Sequence, residues 1–130
     1  MATTERFSAK GVYEPAAYSQ GVKVTGAQTI IVLSGQVSYD KDGGVAHPRD
    51  FKAQAREVMG AIKALVEAQG GTLQNILRLN TYVTDMRYRP DYALIREEFF
   101  GKKSPASTLV QVCALAHPDW VIEIEAIAVV

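Results

Sequence analysis

The most constraining feature of this chain is its final segment, VIEIEAIAVV (121–130), in which two glutamates interrupt an otherwise apolar run. The segment is rich in β-branched residues, which favours a strand. Side chains alternate between the two faces of a strand, so one face here is wholly apolar and the other carries both glutamates. The segment therefore predicts a sheet with one face packed against a core. The apolar face comprises Ile122, Ile124, Ala126, Ala128 and Val130, and the other comprises Val121, Glu123, Glu125, Ile127 and Val129.

Two segments have the periodicity of amphipathic helices that could cover this apolar face. From Phe51 to Gln69 the apolar residues recur every three to four positions, with Pro48 to Asp50 as the start signal and Gly70-Gly71 as the stop. A shorter helix is predicted from Pro90 to Gly101. Segments that are rich in β-branched and aromatic residues and end in turn residues are predicted to be strands. These segments are 21–26, 29–39, 76–84, 108–114 and 121–130.

The predicted element order is β-β-β-α-β-α-β-β, in which each helix joins strands that need a crossover connection. This order predicts an α+β fold in a single domain over residues 1–130, with one mixed six-stranded sheet and both helices on one face.

Composition excludes several function classes. The 14 basic and 14 acidic side chains give a formal net charge of +0, whereas nucleic-acid binding needs a clustered basic surface, so no nucleic-acid partner is predicted. No apolar run approaches the ~20 residues that span a bilayer, and residues 1–10 lack an apolar signal core. We therefore expect a cytoplasmic protein with no membrane partner. The single cysteine, Cys113, cannot form an internal disulfide. One cysteine and two histidines scattered over the chain do not predict a metal site.

The sheet face away from the helices is predicted to be a mixture of apolar and hydrogen-bonding groups. Alternation along the neighbouring strands assigns to it Arg78, Asn80, Tyr82, Leu109, Gln111 and Cys113, in addition to the two glutamates.

This mixed face predicts a homo-oligomer. Exposure of Leu109, Val121, Ile127 and Val129 together would create a larger apolar patch than monomers usually tolerate, and a second copy is the simplest cover. The polar groups would then be partly buried and would need partners. An ion pair between Arg78 and one of the two glutamates is a purely structural alternative to a functional role for them.

Five sequence blocks together resemble the RidA/YjgF/UK114 family of small enamine and imine deaminases. The resemblance implies a chorismate-mutase-like fold and a homotrimer with ligand clefts between subunits. It also implies hydrolysis of reactive enamines or imines, left by pyridoxal-phosphate enzymes, to a keto acid and ammonia, with no metal or organic cofactor. The blocks are LSGQV (33–37), NTYVTDM (80–86), EEFF (97–100), the PA of SPAS (104–107) and IEIEAIAV (122–129).

The resemblance also implies roles for individual residues. Glu123, the first glutamate of IEIE, occupies the position that orients or activates the attacking water. Tyr18, in AAYSQG, matches the ring that lines the family's cleft, and Ser34 and Gly35 match the strand end beside it.

The chain departs from the family pattern at the position that grips a substrate carboxylate. The family's deaminases have Pro-Ala-Arg there, and this chain has Ser107 after Pro-Ala. A serine hydroxyl does not replace a bidentate charge-assisted contact, so α-imino acids should bind ~10- to 100-fold more weakly. A second ligand contact of the family, an asparagine, aligns with Ala93.

Two functions remain open from the sequence. In the first, Glu123 catalyses hydrolysis of a small metabolite whose acidic group is absent or is held by another cation, for which Arg78, Arg89 and Lys103 are candidates. In the second, the trimer binds a small molecule or a protein partner without turnover. The predicted substrate-binding residues are Tyr18, Ser34, Gly35, Ser107 and Arg78, and the predicted catalytic residue is Glu123.

Overall fold

The computed structural model describes residues 2–130, and its elements alternate as the sequence predicts. Short 3-10 turns precede the fourth strand and the second helix. For the first strand, the sequence pattern predicts no residue bounds. In chain order the elements are β1 (Thr3–Phe7), β2 (Gly21–Thr25), β3 (Ile30–Gln36), α1 (Phe51–Glu67), β4 (Ile76–Val83), α2 (Arg89–Phe100), β5 (Ala106–Gln111) and β6 (Ile122–Val129).

The strands form a four-stranded sheet in the order β3-β6-β4-β5 and a separate two-stranded sheet of β1 and β2. Only the β4–β5 pair is parallel within the four-stranded sheet. The predicted α+β class is confirmed, but the single six-stranded sheet is wrong. The chain ahead of β2 forms one isolated β-bridge to β5, between Ser19 and Ala106, and β1 and β2 do not continue the larger sheet.

Both helices pack on one face of the four-stranded sheet, as predicted. Val58, Met59 and Ile62 of α1 are fully buried, and Ile122 and Ile124 of β6 lie in the same core. No helix within residues 2–130 is long and apolar enough to cross a membrane.

The ends of α1 follow from its flanking residues. The Asp50 carboxylate caps the first turn by accepting a hydrogen bond from the Ala53 N–H at 3.2 Å. After the helix, Gly70 has a φ of 82°, a conformation that glycine adopts without strain. Both boundary predictions are confirmed.

Strand β5 does not present the residues that its sequence pattern predicts. Its parallel register places Leu109 beside Thr81, whose hydroxyl lies 2.7 Å from the buried Tyr92 hydroxyl of α2. Leu109 therefore faces the helices, and Gln111 follows it by alternation. Cys113 lies beyond the end of β5 and is exposed.

The ends of β6 also differ from the prediction. Val121 precedes the strand and is only 6% exposed. Its backbone N–H donates a hydrogen bond to Gln54 Oε1 of α1 at 2.9 Å. Val129, at the end of β6, is only 1% exposed and lies near a register shift in the pairing of β4 with β6, between Ile76 and Arg78.

The face away from the helices, called the open sheet face below, nevertheless carries exposed apolar side chains. Ile30 and Val32 of β3 are 69% and 74% exposed, and Ile127, the cross-strand partner of Val32, is 37% exposed. We call these three residues the β3–β6 patch. Its composition differs from the predicted patch, of which only Ile127 remains.

Candidate functional site

Glu123 lies on the open sheet face against the backbone of β3. A Cβ atom added to Gly35 would lie 2.1 Å from Glu123 Oε2, which is far closer than two such atoms can approach. The glycine therefore allows the carboxylate to lie directly over the strand. Any side chain at position 35 would displace it.

A β-bulge creates this close approach. Leu33 pairs with Ala126 while Gln36 pairs with Ile124, which leaves two residues, Ser34 and Gly35, opposite one residue of β6. The structure thus brings together Glu123 and Gly35, with Ser34 exposed beside them. We call these three residues the acidic half-site.

The second glutamate has a different environment. Glu125 Oε1 accepts hydrogen bonds from Asn80 Nδ2 at 3.0 Å and from the Tyr82 hydroxyl at 2.8 Å. The hydrogen bond to Glu125 raises the pKa of Tyr82 above its usual value. By contrast, no hydrogen bond or ion pair within residues 2–130 involves the Glu123 carboxylate, which leaves it available to a ligand.

Arg78 does not form the ion pair considered from the sequence. Its guanidinium donates to Asn80 Oδ1 at 2.8 Å and to Thr108 Oγ1 at 3.0 Å. Arg78 therefore reaches Glu125 only through Asn80, in a hydrogen-bonded row that crosses β5, β4 and β6. This row occupies the open sheet face and holds Glu125 in place.

A cavity of about 430 Å³ lies between α2 and β5, on the side of β5 that faces away from the open sheet face. It contains two of the predicted ligand residues, Tyr18 and Ser107, and Ala93 at the position where the family has asparagine. The Ser107 hydroxyl oxygen is buried and has no hydrogen-bond partner within residues 2–130. The lining comprises Ala17, Tyr18, Met86, Arg89, Pro90, Tyr92, Ala93, Arg96, Ser107 and Leu109.

Tyr18 reaches this cavity because the adjacent residue is tied to the start of β5. The Ser19 hydroxyl donates to the Ser104 carbonyl at 2.9 Å, and Ser19 forms the bridge to Ala106. These contacts hold Tyr18 near the start of β5, so that it lines the cavity together with Ser107. The sequence motif predicted the ring but not the contacts that position it.

Two further aromatic and charged groups complete the cavity. Tyr92 is buried, and its burial raises the pKa of its phenol. The Arg96 guanidinium lies 5.4 Å from the centroid of the Tyr92 ring and 5.9 Å from that of Tyr18. Sequence reasoning missed Arg96, although its spacing of four residues from Tyr92 places both on one face of α2. We call the cavity with Tyr18, Arg96 and Ser107 the cationic half-site.

The two half-sites do not meet within one copy of the chain. Ser107 pairs with Leu79, which is fully buried under the helices, whereas Glu123 pairs with Tyr82 on the open sheet face. Successive residues of a strand point to opposite faces, so Ser107 and Glu123 lie on opposite faces of the sheet. A site that uses both groups needs a second copy.

No group of three metal-ligating side chains comes together in the described part of the chain. Cys113 is exposed and lines neither half-site.

Comparisons with known proteins agree with this architecture. The family model described as Endoribonuclease L-PSP matches residues 10–130. The RutC family protein PH0854 of Pyrococcus horikoshii is 38% identical over 114 residues, which cover 85% of each chain.

Solved structures show the same fold. A Rid family protein of unknown function from Yersinia pestis, YyfB, has a TM-score of 0.86 at 26% identity over 98% of both chains. RidA from the Antarctic bacterium Psychrobacter sp. PAMC 21119 has a TM-score of 0.72 at 32% identity, over 96% of this chain and 94% of that one. The chain therefore belongs to the RidA/YjgF family, whose family model carries the description Endoribonuclease L-PSP.

Proposed function

We propose that the chain hydrolyses a small imine or enamine to a carbonyl compound and ammonia, at a site that a second copy completes. The observation that supports this proposal is the Glu123 carboxylate, held against Gly35 without a partner of its own. An unpaired carboxylate at a fixed position can accept a proton from a bound water molecule.

The proposed reaction uses Glu123 as a general base. The carboxylate accepts a proton from water as the water oxygen forms a bond to the imine carbon, and the C=N electron pair moves to nitrogen. Glu123 returns that proton to the nitrogen, which gives a neutral carbinolamine. The hydroxyl proton of the carbinolamine then passes through Glu123 to the same nitrogen as the C–N bond breaks, the C=O bond forms and ammonia leaves. General base catalysis of this kind contributes roughly 10²- to 10⁴-fold.

The assembly that we propose is a homotrimer. The exposed β3–β6 patch needs a cover, and the two half-sites need different copies of the chain to meet. Burying the open sheet face against other copies would meet both requirements. It would also place Glu123 in a drier environment, where electrostatic interactions strengthen.

Ser107 provides the test of this function. Wild-type protein should accelerate hydrolysis of 2-iminopropionate, and Ser107→Arg should raise kcat/KM by ~10- to 100-fold, because it adds a bidentate contact to the carboxylate from β5. The measurement is ammonia release after the imine is generated in situ. Gln69→Arg, which adds the same charge at the exposed end of α1, is the matched control and should match the wild type.

Equal rates in wild type and Ser107→Arg would refute the claim that an arginine at position 107 adds to carboxylate binding. No acceleration by either protein would refute imine hydrolysis for this substrate class.

Gly35 offers a second test of the acidic half-site. Gly35→Ala should lower hydrolysis markedly because its Cβ displaces the Glu123 carboxylate. The free energy of unfolding should change little, since the displaced group is the end of a flexible side chain. Gly60→Ala is the control: its Cβ meets nothing within 4 Å, and it should keep full activity. Unchanged activity in Gly35→Ala would show that the close approach has no role in catalysis.

A second candidate function is binding without turnover. Ser107 and Ala93 both stand where the family contacts its substrate with longer polar side chains, while the cavity of about 430 Å³ remains large enough for a small metabolite. Saturable binding of a keto acid with no acceleration of imine hydrolysis would favour this function.

RNA cleavage, suggested by the description of the family model, receives less support from this chain. Its formal net charge of +0 provides no excess of basic groups for phosphate contacts.

A further inference from the structure

Arg96 is held by aromatic rings rather than by acidic side chains. Its guanidinium lies within 6 Å of the ring centroids of both Tyr18 and Tyr92. Such contacts attract a cation while leaving the N–H donors at the edge of the guanidinium free to bind a ligand. The two rings thus fix where the charge lies without neutralising it.

Three other arginines of the chain are already paired with acidic side chains. Arg49, Arg56 and Arg87 form ion pairs with Asp119, Glu98 and Asp85 at 2.6 to 2.8 Å. Arg96 has no acidic oxygen within 4.0 Å anywhere in residues 2–130. It is also half-buried, so its charge lies where an unpaired cation is costly.

The surroundings of Arg96 complete a site for a small anion with an apolar body. The cavity is lined by Ala93 and Leu109 as well as by the two rings, and the buried Ser107 hydroxyl lacks a hydrogen-bond partner within the described residues. A carboxylate could accept hydrogen bonds from both Arg96 and Ser107, which would satisfy both groups.

We propose that Arg96 is the carboxylate-binding residue of this site and supplies from α2 the cation that β5 lacks at Ser107. The substrate class is accordingly imines or enamines that carry a carboxylate. This inference rests on the proposed function for the reaction, but the binding of the anion can be tested without turnover.

The cations considered from the sequence are less suited to this role. Arg78 lies on the open sheet face and donates to Asn80 and Thr108. Lys103 does not line the cavity. Arg89 lines it but is exposed, and within residues 2–130 no aromatic ring lies over its guanidinium, so water screens its charge.

The experiment compares pyruvate with acetone, which share a ketone and a methyl group and differ in the carboxylate. Binding of each to the intact protein is measured by NMR titration. We expect wild type to bind pyruvate in preference to acetone. Arg96→Gln should weaken pyruvate binding by ~10- to 100-fold, and Arg96→Lys should retain part of it. Arg56→Gln, which removes a charge from outside the cavity, should bind pyruvate as the wild type does.

Several outcomes would overturn the assignment: equal binding of pyruvate and acetone by wild type, unchanged pyruvate binding in Arg96→Gln, or a loss in Arg89→Gln instead. If the glutamine variant folds poorly, the ratio of pyruvate to acetone affinity is measured in Arg96→Lys instead. A retained preference for pyruvate in that variant supports the assignment, and a lost preference opposes it.

Failure of the proposed function gives a different result from failure of this inference. Pyruvate binding that depends on Arg96, without imine hydrolysis, supports the anion site and refutes the reaction. Hydrolysis of both 2-iminopropionate and the neutral imine of acetone at rates that Arg96→Gln leaves unchanged supports the reaction and refutes the anion site.

Discussion

Glu123→Gln is expected to lower kcat for imine hydrolysis by roughly 10²- to 10⁴-fold, because glutamine cannot accept the proton of the attacking water. The substitution keeps the shape of the side chain, so the close contact with Gly35 is preserved. Ammonia release under saturating substrate measures the effect, and thermal unfolding verifies that the fold is intact.

Glu125→Gln is the matched control for this experiment. The amide oxygen of glutamine can still accept hydrogen bonds from Asn80 and Tyr82, so kcat should stay within about tenfold of wild type. A large loss in Glu125→Gln with none in Glu123→Gln would reverse the roles of the two residues. Equal losses in both would remove the distinction between them.

The second large effect is expected from a charge placed in the β3–β6 patch. Val32→Glu should dissociate the proposed homotrimer and abolish hydrolysis, since an unpaired carboxylate buried between copies costs several kcal/mol. Native mass spectrometry and sedimentation measure the assembly. The monomer itself should remain folded, because Val32 is 74% exposed in a single copy.

Leu65→Glu is the control for this substitution. Leu65 lies on α1, on the opposite side of the molecule from the open sheet face, and is 40% exposed. The variant should keep the assembly state of wild type. A wild-type protein that is a stable monomer in dilute solution, or a Val32→Glu variant that assembles normally, would contradict the proposed cover of the patch.

The parts of the fold that could be predicted from sequence are those set by local patterns. The helical face of α1 and the buried face of β6 depend on periodicity within one element, and the structure buries Ile62 and Ile124 as that periodicity requires. The face of β5 depends instead on its parallel register with β4. That register is a non-local property, and for this reason alternation along the sequence predicts the wrong side of the sheet for Leu109.

The residues of the candidate site also fall into two groups, those that a sequence motif predicts and those whose role depends on contacts with distant segments. Glu123 and Gly35 lie in recognisable sequence blocks, and the structure brings them into contact across two strands. Arg96 has no motif of its own and resembles a solvated charge on a helix. Its significance depends on the Tyr18 ring, which a distant segment brings over α2 through Ser19 and Ser104.

The placement of the half-sites on opposite faces of the sheet has a consequence for symmetry. In a two-fold dimer the same surface meets itself, so one partner cannot complete an acidic half-site on one face and a cationic half-site on the other. Under the proposed function, in which one site uses both half-sites, the joining contact would be head-to-tail, and such contacts close into a ring of three or more copies or extend without end. Each subunit of a closed ring would contribute to two different sites, and the number of sites would equal the number of subunits.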